Sequence, residues 1–279
     1  GVGMTGCVRH TALIFLVGIC VLFLNLGGPR LWDRDEPRNA GCAAEMSARG
    51  DWITPVFNGE LRTPKPILLY LLMLGSYAIF GVHEFAARFW SAALALGTAL
   101  LTYGIGRRVF SPSVGLWAAI ILTTTLMFDV AARAATPDSA LIFWMTAAVW
   151  VYVRGTFLPP VGDEAPTAPA RWFPSWRVAT LMYACMGMAV LAKGPVGLVL
   201  PTAVLGMYLL VLRLPTREWE PNSGRLSALG LGLLRCLRPF SPGHFLRTCW
   251  MMRPITAVVV AMIVALPWYI AVDLRTDGQ

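Results

Sequence analysis

Five of the seven residues in Trp32-Asp33-Arg34-Asp35-Glu36-Pro37-Arg38 are charged, and they lie just past the first apolar run. Three more places set ionisable side chains at the ends of apolar runs: Lys65 between Pro64 and Pro66, Arg133 and Asp138 in ARAATPDSALIFW, and Lys193 in LAKGPVGLVLP. Each supports two readings. Asp33 and Asp35 could face water and cap a helix, with Pro37 in its first turn, and Pro137-Asp138 equally suits a helix start. Alternatively these carboxylates are free for chemistry. Lys65 is either a lysine snorkelling to the interface or a phosphate contact on a stiff backbone at lipid head-group level. Lys193 falls between two apolar runs joined only by Lys-Gly-Pro. A cation there needs an anion or a water-filled cavity nearby, although Gly-Pro turns at membrane surfaces often carry a lysine.

The elements that must position these residues are membrane helices. The chain is 57% hydrophobic and 14% charged, against about 25% charged in a typical soluble domain, and its mean hydropathy is positive. That deficit predicts a polytopic membrane protein. The net charge of +8 does not signal nucleic acid. Arg213, Arg217, Arg225, Arg235, Arg238, Arg247 and Arg253 gather in or beside one connector, opposed only by Glu218 and Glu220. This is how a membrane protein marks its cytoplasmic side, and the aromatic interleaving expected of a nucleic-acid site is missing. The six cysteines are scattered without a CxxC pair, so no zinc spacing exists. Cys20 and Cys185 read as small buried side chains. His10, His83 and His244 read as surface or interfacial residues. Paired external acids could hold a divalent ion, but no spacing demands one and no cofactor is required.

Apolar runs occur near 11–27, 67–81, 89–106, 113–131, 139–153, 178–192, 195–212 and 255–272. A spanning helix needs about 20 residues. The first run has Arg9 and His10 in front and no A-x-A site behind it, so it reads as a retained helix and not a cleaved leader. Counting all eight runs as crossings would put Arg107 and Arg108 outside and Asp138 inside. Treating the short 67–81 run as partly inserted leaves seven crossings. Arg107, Arg108, Arg154, Arg171, Arg177 and the arginine-rich connector then lie inside, and Asp35, Lys65, Asp138 and Lys193 outside. Residues 34–49 read as a helix whose modest stripe of Ala40, Ala43, Ala44 and Met46 lies on the membrane surface. GDWITPVFNG follows with turn residues at both ends, and 158–170 reads as a flexible loop.

DEPRNAGCAAEMSARGDWITPVFNGELRTPKPILLYLL resembles the first external loop of the GT-C type polyprenyl-phosphate-dependent glycosyltransferases. Within that class it is most similar to the group of lipid A aminoarabinose transferases and protein O-mannosyltransferases. GVHEFAARFWSAL, ARAATPDSAL, LAKGPVGLVLP and LPWYIAV resemble further family segments in the same order, so the likeness runs from about residue 30 to 273. Three positions depart from the pattern. Pro64 replaces a glutamate before the loop lysine, Ile67 follows Pro66 where a second proline is usual, and Asn39 replaces a tyrosine after the loop arginine.

The resemblance implies an all-α polytopic fold, a GT-C-like bundle of about seven spanning helices with membrane-surface helices in the first external loop, 28–66. It implies that 1–279 is the N-terminal part of a transmembrane catalytic domain whose C-terminal remainder is absent here. The implied activity moves a sugar from a polyprenyl-phosphate donor to a lipid, glycan or protein acceptor on the outer face of a bacterial inner membrane. Asp35 matches the central acid, a base or acceptor-positioning group, and Asp138 the second external acid. Lys65 and Lys193 match lysines at the donor phosphate. Arg38, Glu36 and Arg133 complete the expected substrate-binding set. The residue types suit that chemistry: a carboxylate takes the acceptor proton, cations hold the departing phosphate, and a single displacement inverts the anomeric centre. A transporter or flippase, or a non-catalytic polyprenyl-lipid-binding homologue, is the rival reading.

Overall fold

In lipid every backbone N–H and C=O must be bonded within its own segment, so long apolar runs fold as helices. The protein, seen in a computed structural model, is described over residues 2–62, 65–158, 169–213 and 240–276. Helix α1 (Val2–Gly18) runs on into a π-helical turn, Ile19–Phe23. Then come α2 (Asp35–Arg49), α3 (Leu68–Phe80), α4 (Glu84–Val109), α5 (Pro112–Thr124), α6 (Leu126–Arg133), α7 (Asp138–Thr156), α8 (Trp176–Lys193), α9 (Val196–Leu212), α10 (Pro242–Met251) and α11 (Pro254–Thr276). Between α2 and α3 a two-stranded hairpin pairs β1 (Val56–Phe57) with β2 (Glu60–Leu61), Val56 opposite Leu61 and Phe57 opposite Glu60. Its two turn residues, Asn58 and Gly59, both have positive φ, as a tight hairpin turn requires.

The apolar run 113–131 does not form one rod. Helices α5 and α6 meet at a bend of 65°. The hydroxyls of Thr123, Thr124 and Thr125 donate to the carbonyls of Ala119, Ile120 and Ile121, four residues back. Such back-bonding competes with the helical ladder and bends it, and Thr125 itself is extended.

Hydrogen bonds sort the helix ends onto two faces. On the first, Arg88 near the start of α4 reaches carbonyls beyond α1 and Glu36 at the start of α2. Lys193 at the end of α8 meets Asp138 at the start of α7. Trp268 and Arg275, late in α11, reach Ile53 and Asp51. On the second face, Arg107 meets Cys7 of α1, and Arg108 donates to the carbonyl of Phe157 beyond α7. There too His244 of α10 bonds the Leu210 carbonyl near the end of α9, and Arg253 stacks over Trp176 of α8 at 4.1 Å. Among the described residues α1, α4, the α5–α6 pair, α7, α8, α9 and α11 therefore run from one face to the other. Helix α3 does not. Tyr70 near its start bonds Arg62, Ser76 donates to the Ala86 carbonyl, and the Phe80 ring lies 5.5 Å from Phe85. By length and composition α4, α11 and Gly6–Phe23 are able to cross a membrane, and the bent pair would make a fourth span.

The α2 stripe is covered by protein and not by membrane. Ala40, Ala43 and Met46 are buried in one cluster with Leu68, Tyr70, Met73 and Tyr77 of α3. Cys185 is buried as expected, but Cys20 is exposed, because its side of the π turn faces away from the bundle. Arg217, Arg225, Arg235 and Arg238, Glu218 and Glu220, Pro64, and most of the 158–170 loop lie outside the described residues.

Candidate functional site

Neither aspartate caps its helix. Asp35 and Asp138 are the first residues of α2 and α7; Arg34 and Pro137 hold the cap positions without a side-chain cap bond, and the Arg34 N–H goes to the Asp33 carboxylate. Each carboxylate instead takes a lysine. Lys65 Nζ donates to Asp35 Oδ2 at 2.7 Å, and Lys193 Nζ donates to Asp138 Oδ1. A carboxylate in a first turn and an ammonium at a helix end each also suit the local helix dipole. All four side chains keep appreciable solvent exposure. The Lys65 hydrogen bond holds the Asp35 carboxyl below its ordinary range, with help from the Lys65, Arg62 and Arg38 charges against a modest burial cost. Among the described residues Arg38 has no hydrogen bond or ion pair, so its guanidinium is uncommitted beside Asp35.

The two pairs sit at the same end of the bundle. Ile67 and Leu68 beyond Lys65, Ala135 and Ala140 around Asp138, Leu191 and Ala192 before Lys193, and Ala40 after Arg38 all belong to one buried cluster. A polar clamp fastens α2 to the loop before α7. Glu36, only 1% exposed, accepts from Arg88 Nε at 2.9 Å, Arg88 Nη2 at 2.8 Å, the Ala135 N–H at 2.7 Å and the Trp32 N–H at 3.0 Å. Burial pushes this carboxyl up, but those bonds outweigh it and the net shift is downward. Arg88 spends its remaining N–H groups on the carbonyls of Leu26, Pro29 and Arg30, so all five of its donors are used. Asn39, fully buried, donates to the Ala135 carbonyl at 3.0 Å and accepts from Arg62 at 3.3 Å. Arg62 in turn donates to the Tyr70 hydroxyl.

The remaining expected residue, Arg133, donates to the carbonyls of Val21 and Leu24, both at 2.9 Å. These flank the end of the π turn, where backbone acceptors lose their helical partners. The structure thus brings Asp35, Lys65 and Arg38 together, and Asp138 with Lys193. It turns Glu36 and Arg133 inward onto protein.

Arg88, Arg62 and Tyr70 were not expected at the site. Arg88 had a readable signal: a lone guanidinium at the head of an apolar run requires an acidic partner. Arg62 and Tyr70 had none, because their pairing depends on the hairpin fold. Among the described residues no group of three or more His, Cys, Asp or Glu could hold a metal ion. The arrangement offers carboxylates beside cations able to hold an anion.

Residues 12–276 match the family described as Dolichyl-phosphate-mannose-protein mannosyltransferase. An uncharacterised protein of Aquifex aeolicus is 34% identical over 205 residues, 73% of this chain and 38% of that one. The undecaprenyl phosphate-alpha-4-amino-4-deoxy-L-arabinose arabinosyl transferase of Edwardsiella ictaluri is 28% identical, over 88% of this chain and 37% of its own. The crystal structure of ArnT from Cupriavidus metallidurans bound to undecaprenyl phosphate superposes with a TM-score of 0.68 at 26% identity, covering 95% of this chain and 41% of that one. The chain thus spans about two fifths of the length of the proteins it matches.

Proposed function

The chain belongs to the Dolichyl-phosphate-mannose-protein mannosyltransferase family, and from that premise we propose that it is the N-terminal part of a membrane glycosyltransferase. The enzyme is an integral membrane protein with a GT-C-like fold. In our reading it crosses a bacterial inner membrane seven times before residue 277, with Asp35, Lys65, Asp138 and Lys193 facing the periplasm and the arginines of the second face inside. Its donor is a sugar on polyprenyl phosphate. The 4-amino-4-deoxy-arabinose donor named for the Edwardsiella relative is the first to test, with a lipid, glycan or protein as acceptor.

The observation that carries this reading is the pairing of each site lysine with an aspartate at one end of the bundle. The donor phosphate offers two anionic oxygens that compete with the two carboxylates for Lys65 and Lys193, with Arg38 free to join them and tip the balance. Asp35, released, accepts the proton as the acceptor oxygen attacks the anomeric carbon. The bond from that carbon to the phosphate oxygen breaks, and its electrons leave with the phosphate, held by the cations. A single displacement inverts the carbon, and no cofactor is needed. Glu36 and Arg133 act as positioning residues here, because their polar atoms are committed to protein. The transport reading is not favoured, since the paired charges gather at one face and do not line a path through the bundle.

The test is transfer by the full-length protein in membranes, supplied with the undecaprenyl-phosphate-linked aminoarabinose. Transfer lost in Asp35→Asn with folding intact supports the proposal. Normal transfer by that variant removes Asp35 from the mechanism.

A further inference from the structure

Two segments, GDWITP and LPWYIAV, have no part in the chemistry just described, yet the fold brings them together. Helix α2 ends at Gly50, whose φ of 64° lets the Asp51 N–H turn back to the Met46 carbonyl at 3.1 Å. The Asp51 carboxylate then accepts from the N–H groups of Ile53 and Thr54, at 2.9 and 3.2 Å, and holds the turn closed. Two side chains from α11, more than 200 residues later, fasten that turn from outside. Arg275 Nη1 lies 3.1 Å from Asp51 Oδ1, and the Trp268 indole N–H donates to the Ile53 carbonyl at 3.0 Å. The fastened turn leads on to the hairpin. Arg62 N–H donates to the Pro55 carbonyl at 2.9 Å, closing the base of the hairpin. The Arg62 side chain anchors on Tyr70 and Asn39, and Lys65 follows three residues later.

We propose that Trp268 and Arg275 are positioning residues for the donor phosphate: through Ile53 and Asp51 they hold the hairpin that presents Lys65. The proposal rests on the transferase reading, because it assigns Lys65 the phosphate. The indole bond reaches a backbone carbonyl and so fixes chain position irrespective of the side chain at 53. The Arg275 contact is exposed, so salt weakens it, whereas the Trp268 bond is partly buried and insensitive to salt. Lys193 is held by α8 and lies outside this chain of contacts, so part of the phosphate's hold survives when the fastening is cut.

The experiment measures undecaprenyl phosphate binding to the purified full-length protein in nanodiscs, alongside thermal stability and transfer kinetics. Arg275→Gln with Trp268→Phe should weaken undecaprenyl phosphate roughly three- to tenfold, the lower part of what one net hydrogen bond and one exposed ion pair cover together, because the contacts act on the phosphate only through Lys65. Turnover at saturating donor should fall far less than in Asp35→Asn, since the carboxylate is untouched and Lys193 still holds the departing phosphate. Arg275→Lys should restore the contact and retain wild-type affinity. Unchanged affinity in the double variant overturns the proposal. So does a loss that merely follows a lowered unfolding temperature, which would make the contacts structural only. Wild-type protein that binds no undecaprenyl phosphate overturns the transferase reading itself, and this one with it.

Discussion

Arg88 grips the Glu36 carboxylate through two parallel hydrogen bonds, of 2.9 and 2.8 Å, across 52 residues of chain. Both side chains are almost wholly buried, at 3% and 2% exposure. A bidentate pair of this kind fixes direction as well as distance. It sets the start of α2 against the start of α4, and through the Ala135 N–H against the loop that begins α7. Asp35 and Asp138 owe their common face to that three-way junction.

Removing one partner strands the other as a buried charge. Arg88→Leu should destabilise the protein by about 3–5 kcal/mol, seen as a marked fall in unfolding temperature in detergent. Glu36→Gln keeps the shape and some of the bonds and should cost less. A near wild-type unfolding temperature for Arg88→Leu would show that the junction is held by packing alone.

Asp35→Asn should separate binding from catalysis. Transfer should fall by about 10²-fold or more with the base gone. Undecaprenyl phosphate should bind roughly two- to fivefold tighter, the scale of one exposed ion pair, because Lys65 no longer has a competing anion. Calorimetry or fluorescence titration reads both signs. Weaker binding would mean that the carboxylate helps to organise the phosphate site.

Lys65→Ala and Lys193→Ala should each weaken undecaprenyl phosphate roughly tenfold, as expected for one charge-assisted hydrogen bond. Arg38→Ala should cost at least as much, since its guanidinium gives up no ion pair to reach the phosphate. Unchanged affinity in both lysine variants defeats their assignment to the phosphate.

The pH profile follows from the lowered Asp35 pKa. A carboxylate with a folded value below 3.8 adds stability that is complete above 3.8 and fades as pH falls through the folded value. As a base in the free enzyme it stays ionised down to that range, so the acid limb of kcat/KM due to Asp35 should lie below pH 3.8. Once the donor has drawn Lys65 away, the largest depressing influence is gone and a phosphate stands nearby. The acid limb of kcat should therefore lie at higher pH. Coincident limbs would show that Lys65 stays on Asp35 throughout.

Cysteine labelling of intact cells checks the orientation. Probes at positions 65 and 138 should react from outside, and one at 107 only after the membrane is breached. Labelling of 107 from outside would reverse the topology, and labelling of all three would dissolve it.

Much of this was legible in the chain. Apolar runs separated by charged connectors become helices because lipid leaves the backbone no other partner, so the runs 139–153, 178–192 and 195–212 match α7, α8 and α9 within a few residues. Residue type and position also singled out Asp35, Lys65, Asp138 and Lys193, because an ionisable group at a membrane boundary needs a reason to be there. What the chain alone left open was which of two reasons applied. Capping is a local interaction and fits the spacing of both aspartates. The lysine partners come from 30 and 55 residues away, and only the folded bundle could bring them within reach. The same limit hid the inward commitment of Glu36 and Arg133, the bend at Thr125, and the hold of Trp268 on Ile53. Periodicity and composition are carried by neighbours along the chain, whereas each of these outcomes depends on which carbonyl, carboxylate or N–H the packing of other helices leaves in range.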